Sequence, residues 1–192
     1  MSRYERVLEE PITIRLLLPP SVYEIIETYQ ERIRPFVEDV NEIESAHLTV
    51  KYLGHEMNPK YTDGYMESLI PEIRGIARKY LPIRVQIHGL SIWELRVKGY
   101  EGRYVVFLDI LPNEELESLH DEIIEKLGDR IDYFELEDEN FRPHISLTYS
   151  GKSENLRDLE RIVKKSKKDP IFTVEANKLV MRLRDDRLVR IL

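Results

Sequence analysis

Two short runs, Ala46-His47-Leu48-Thr49-Val50 and Pro143-His144-Ile145-Ser146-Leu147, place a histidine two residues before a hydroxyl side chain inside an apolar, strand-like stretch. A strand alternates its side chains with a period of two. Each imidazole and its hydroxyl therefore point the same way, roughly 6–7 Å apart. In the first run Ser45, His47, Thr49 and Lys51 share one face, and Ala46, Leu48 and Val50 share the other. In the second, Arg142, His144, Ser146 and Thr148 oppose Pro143, Ile145 and Leu147. Each strand is thus predicted to bury one face and to present the same chemical set on the other. Side by side, the two would line a cleft with two imidazoles and two hydroxyls, a set suited to acid–base chemistry at a phosphate without a metal.

Composition narrows the setting. A chain of 192 residues, 42% hydrophobic, fits one domain or one domain with two lobes. It has no apolar run long enough to span a membrane. Residues 1–6 are charged and lead into a strand, unlike a signal-peptide core. With no cysteine there is no disulfide, zinc–thiolate or iron–sulfur site, and a cytoplasmic location is expected. A formal charge of −7 argues against a grip on long duplex nucleic acid and favours a small ligand or an RNA end. The dense basic run over residues 161–168 reads as a solvated helix end, where cations suit the helix dipole.

The chain reads in order as strand (12–18), helix (22–33), histidine strand (45–53), helix (65–80, started late or kinked by Pro71), strands over 83–88, 90–97 and 104–111, and helix (113–127) closed by Gly128. A turn is predicted between Gly99 and Gly102. A polar stretch to Asn140 leads to the second histidine strand, a helix over 153–168, and a closing hairpin formed by 171–183 and 188–192. Both halves follow one plan: strand, helix, histidine strand. About half the chain separates His47 from His144, which suggests an internal duplication with a pseudo-two-fold axis and a site where the halves meet. No Gly-, Ser- or Pro-rich linker divides them, so residues 1–192 are expected to form a single two-lobed domain.

Paired His-x-Thr/Ser motifs spaced in this way resemble the two-histidine phosphoesterase superfamily. Ala46-His47-Leu48-Thr49-Val50-Lys51-Tyr52-Leu53-Gly54 is similar to the first motif of the RNA 2′,3′-cyclic phosphodiesterases, also called 2′-5′ RNA ligases. Phe141-Arg142-Pro143-His144-Ile145-Ser146-Leu147-Thr148-Tyr149 is similar to the second, and its Ser-Leu-x-Tyr ending resembles the small cyclic phosphodiesterases of plants and fungi. The resemblance implies a bilobal α+β fold in which two mainly antiparallel sheets with outer helices face an active cleft. It also implies metal-independent hydrolysis of a cyclic or 2′-linked phosphodiester.

On this reading His47 and His144 serve as acid and base in either order, because an imidazole titrates near neutral pH. Thr49 and Ser146 donate to the phosphoryl oxygens. Lys51, Arg142 and Tyr149 are candidates for substrate binding. Alternation puts Tyr52 and Tyr149 on the core face, and Trp93 also reads as core. His55, His88 and His120 lack the motif context, and His120 is expected to face solvent. Two histidines flanked by hydroxyls make a poor ligand set, so neither a metal nor a cofactor is expected. The expected partners are RNA 3′ ends or small cyclic nucleotides, with no membrane and no second copy of the chain. Two other readings stay open: a phosphodiesterase for 2′-5′ or cyclic oligonucleotides, and a non-catalytic module that binds nucleotides or RNA ends.

Overall fold

Strand β1 (Pro11–Leu17) runs between two antiparallel neighbours, β2 (His47–His55) and β7 (Lys178–Arg182), and β7 pairs with β8 (Leu188–Arg190). A second antiparallel sheet has the order β5 (His144–Lys152), β4 (Arg103–Ile110), β3 (Ile83–Glu94) and β6 (Phe172–Ala176). The computed structural model describes residues 11–94, 103–134, 140–152 and 155–192. Helix α1 (Tyr23–Ile33) connects β1 to β2, and α4 (Glu114–Leu127) connects β4 to β5. The two strand–helix–histidine strand units thus repeat one architecture. Each histidine strand is an edge of its sheet, paired with the first strand of its own unit. The fold is α+β, with two antiparallel sheets.

The helices form where periodicity and caps agree. In α1 the buried residues Ile26, Tyr29 and Ile33 follow helical spacing. In α4 the Asn113 side chain accepts a hydrogen bond from Leu116 N at 2.9 Å, and three glutamates occupy the first turn, where the helix dipole favours them. Helix α5 (Leu156–Ser166) packs along β3. The core joins Ile14, Leu16, Leu48 and Val50 of one sheet to Val106, Leu108, Ile145 and Leu147 of the other, beneath the helices. Burying each such side chain is worth about 1.5–3 kcal/mol, which fixes which face of each strand turns inward.

Three expected elements differ. The helix over 65–80 is two helices, α2 (Asp63–Ser68) and α3 (Ile70–Ala77), with Pro71 in the first turn of the second, where its missing N–H costs nothing. Within the described residues, the two strands expected over 83–88 and 90–97 are one, β3, with a bulge between Ile87 and Leu90 that sequence alternation cannot count across. The strand expected over 171–183 divides at Asn177, with β6 in one sheet and β7 in the other. The Gly99–Gly102 turn and the helix start at Ser153 lie outside the described residues. Among the described residues no helix is long and apolar enough to cross a membrane.

Candidate active site

His47 opens β2 and His144 opens β5, and the two motifs share one local bond. Nδ1 of His47 lies 2.7 Å from the Ser45 carbonyl oxygen, and Nδ1 of His144 lies 2.9 Å from that of Arg142. A carbonyl oxygen only accepts, so in each ring Nδ1 carries the proton. The lone pair is left on Nε2, and both neutral imidazoles adopt the same tautomer. The two rings come from different sheets, yet a proton on His144 disfavours one on His47. Strands β2 and β5, which the two histidines open, also pack against each other, so the rings share one neighbourhood.

The edges of the histidine strands meet through the segment before β2. Asn41 donates from its backbone N to the Leu147 carbonyl (2.7 Å) and from Nδ2 to the Ser146 carbonyl (2.9 Å). Gln30 of α1 holds the Asn41 carbonyl at 2.7 Å. Thr148 is buried, with its hydroxyl 3.4 Å from an Asp39 carboxylate oxygen.

The lobe around His47 is cationic. Arg15 of β1 stands opposite Thr49, and Arg182 of β7 stands opposite Thr13. Arg15 donates to the Thr13 hydroxyl at 2.9 Å. Arg182, 5% exposed, is held by the Pro11 carbonyl (2.8 Å), Glu56 (3.2 Å) and Asp186 (2.7 Å). Burial, and next the charge on Arg15, push the His47 ring down to about 4. The Ser45 carbonyl opposes them, while His144 and Arg182 add to the fall.

The lobe around His144 is aromatic. Trp93 meets the imidazole edge-on with centroids 4.7 Å apart, and Phe107 lies 5.0 Å from it. The guanidinium of Arg142 sits 5.5 Å from the centroids of the Trp93 and Phe107 rings. Asp109, the register partner of His144, accepts from Arg142 at 2.7 Å and also from Lys167 and Ser91. Those donors hold the Asp109 carboxyl below its usual range although burial acts the other way. Burial also lowers the His144 ring, with the Arg142 charge adding to it and the Arg142 carbonyl and Asp109 opposing. Both imidazoles are thus neutral at pH 7.

Of the residues singled out in the sequence, His47, Thr49, His144, Ser146 and Arg142 share this neighbourhood. Lys51 does not. Val50 has no partner in the register with β1, so Lys51 falls opposite core residue Ile14 and Tyr52 opposite Thr13. Lys51 is fully buried with its ammonium 5.1 Å from the Phe134 ring centroid, and Tyr52 returns to the phase of His47 and Thr49. The bulge reverses the faces expected for both. The Tyr149 side chain lies outside the described residues. His120 is buried rather than solvent-facing, stacked on Phe141 at 4.1 Å. It thereby fastens α4 to the start of the second motif. Trp93 belongs to the cluster at His144 rather than to the core. Arg15, Arg182 and Asp109 were missed because only strand pairing brings them near the histidines, and Lys167 because only the packing of α5 on β3 does.

Among the described residues no group of three or more His, Cys, Asp or Glu side chains is arranged to hold a metal. A separate hollow of about 260 Å³ lies where α1 faces the approach to β6, lined by Tyr29, Arg32, Asp169 and Phe172 among others. It holds no histidine and stands apart from this chemistry.

Two antiparallel sheets that bring paired imidazoles together define the class as a two-histidine phosphoesterase fold. The profile of the 2′-5′ RNA ligase superfamily matches residues 18–186, and the chain belongs to that superfamily. Among solved structures, TT0787 of Thermus thermophilus superposes with a TM-score of 0.59 at 19% identity, covering 94% of this chain and 93% of that one. E. coli LigT complexed with 3′-AMP gives 0.61 at 15% identity, covering 94% and 93%. A structure described as a phosphoesterase gives 0.55 at 13% identity, covering 95% and 94%. No curated protein matches the sequence.

Proposed function

We propose that the chain, acting as one two-lobed unit, is a metal-independent phosphodiesterase that opens 2′,3′-cyclic phosphate ends of RNA or nucleotides. The observation that carries this reading is the pair of imidazoles from opposite sheets, locked in the same tautomer, each two residues from a hydroxyl. One Nε2 takes a proton from water as the water oxygen bonds to phosphorus. The bond from phosphorus to one ribose oxygen breaks, and that oxygen receives a proton from the other imidazole, leaving a phosphomonoester. Thr49 and Ser146 donate to the non-bridging oxygens, and Arg15 and Arg142 offset the negative charge. The phosphate anion of the substrate brings the charge that draws a proton onto one ring. The complex of E. coli LigT with 3′-AMP, a product of opening the adenosine cyclic phosphate, supports the reading through a shared fold.

The test offers purified protein, in EDTA, 2′,3′-cyclic mononucleotides, a cyclic-phosphate-ended RNA, 2′-5′ oligoadenylate and cyclic dinucleotides. Turnover of the 2′,3′-cyclic substrates is expected. Loss of either histidine removes a proton-transfer group worth on the order of a hundredfold to ten-thousandfold. His47→Ala and His144→Ala should therefore each lower kcat by at least about a hundredfold with the circular dichroism unchanged. Turnover confined to 2′-5′ or cyclic oligonucleotides would replace the substrate. Binding without turnover would leave a recognition module.

A further inference from the structure

Residues 157–168 carry six cations and two carboxylates in a chain of formal charge −7. Arg157, Arg161, Lys164 and Lys168 recur at spacings of four and three, so they stack along one side of α5 and its C-terminal extension. All four are exposed, as is Lys165 beside them. Two carboxylates temper the row: Asp158 pairs with Arg161 at 3.0 Å, and Glu160 is exposed on the same helix. Complementing the helix dipole accounts for cations in the last turn only. It does not account for Arg157 in the first turn, where the dipole opposes a positive charge, or for Arg161 in the middle.

Beside the row, the end of α5 reaches the neighbourhood of His144. Lys167 leaves the end of α5 to bond Asp109, with the Ser91 hydroxyl and the His88 carbonyl each at 3.3 Å. Asp109 is the register partner of His144 and binds Arg142 at 2.7 Å. The join is built into the fold. The β3 bulge brings Gly89 so close to α5 that a Cβ there would stand 2.7 Å from the Ser166 carbonyl oxygen, and Ser166 Oγ accepts from Leu90 N at 2.8 Å. The other side of α5 is already used, since Leu159 and Ser166 are buried and Ile162 and Val163 pack on the core. No apolar face of the described helix remains for a lipid surface.

We propose that this basic row is an exosite that tracks the upstream phosphates of a single-stranded RNA whose 3′ end occupies the cleft. The proposal rests on the cleft reading above. A narrow line of cations suits one flexible backbone. From Arg157 to Lys168 the row spans about 16 Å, room for on the order of three phosphates.

Cyclic-phosphate-ended oligoribonucleotides of one to ten nucleotides, assayed at several salt concentrations, test it. KM should fall about tenfold between the mononucleotide and the tetramer and then level off. For the longer substrates log(kcat/KM) should fall with log salt at a slope of about −2, as three released counterions on a single strand imply. The variant Arg157→Gln/Arg161→Gln/Lys164→Gln/Lys168→Gln, changed at exposed positions only, should lose both dependences and keep its turnover of the cyclic mononucleotide. A length-independent KM in the unaltered protein, or a length dependence that survives in the variant, overturns the exosite while leaving the cleft reading intact. Fluorescence anisotropy with a 3′-phosphorylated decaribonucleotide reads the row without turnover. Several-fold weaker binding by the variant supports the proposal, whereas equal binding by both proteins, or tighter binding of a duplex of the same charge, refutes it.

Discussion

In the folded chain His47 titrates at about 4, against 6.5 for an unhindered imidazole. Between those values the unfolded chain binds a proton that the folded chain refuses, so stability falls as pH falls through the window. The contribution is complete above 6.5 and gone by about 4, and His144 is shifted in the same direction. Thermal melts should therefore show Tm dropping between about pH 6.5 and 4.5. His47→Gln, which has no charge to gain, should lose less, by about 2–4 °C at about pH 5 for each kcal/mol recovered. Parallel curves for the two proteins would mean that neither burial nor Arg15 governs this ring. The shift itself was not legible in the motif. Alternation revealed that His47 shares a face with Thr49, but the charges of Arg15 and Arg182 act on the ring from strands β1 and β7, which the sequence does not mark as neighbours.

At the scale of elements, legibility ended where the period of two breaks. The His-x-Thr/Ser portions of the histidine strands, α1 and α4 read correctly because their apolar spacing is regular, and α4 adds a local cap. Lys51, Tyr52, Thr148 and β3 did not, because an unpaired Val50, an unpaired Leu147 that sets Thr148 opposite core residue Val106, and the bulge before Leu90 each reset which face a side chain takes. The division of 171–183 at Asn177 is set by which sheet each half pairs with, a long-range choice with no local signal. The β3 bulge can be tested directly. Gly89 has φ +65°, a region open to glycine and strained for other residues, and it lies against Ser166. Gly89→Ala should cost about 2–3 kcal/mol and lower Tm by about 5–10 °C. It should also reduce turnover, because Lys167 and Trp93 are placed by the same bulge. Gly75→Ala, in the middle of α3 with open space around the new methyl, should hold or raise Tm. Equal effects at the two positions would remove the special role of the bulge.

For the whole molecule, in-line displacement needs one imidazole on each side of phosphorus, and each sheet contributes one. On the proposed reading, the catalytic geometry is only as good as the register between sheets. Rigid elements hold each ring within its own lobe, through its carbonyl bond and its strand neighbours. At this edge one sheet is set against the other by the clasp of Asn41 on consecutive β5 carbonyls, with the Thr148–Asp39 contact beside it. Asn41→Ala deletes the Nδ2 bond to Ser146 and keeps the backbone bond to Leu147, so the loss in stability should be about 1 kcal/mol. Tm should drop by only a few degrees. A displacement near 1 Å between reacting groups can cost on the order of a hundredfold in rate, so even a partial loosening of the clasp should lower kcat by about tenfold or more. KM for a cyclic mononucleotide should change little, since Arg15 and Arg142 are untouched. Asn41→Asp, which sets a carboxylate against the Ser146 carbonyl, should be worse on both counts. If kcat at a temperature well below each variant's Tm matched that of the unaltered protein, the clasp would be holding the chain together without setting the distance between its two histidines.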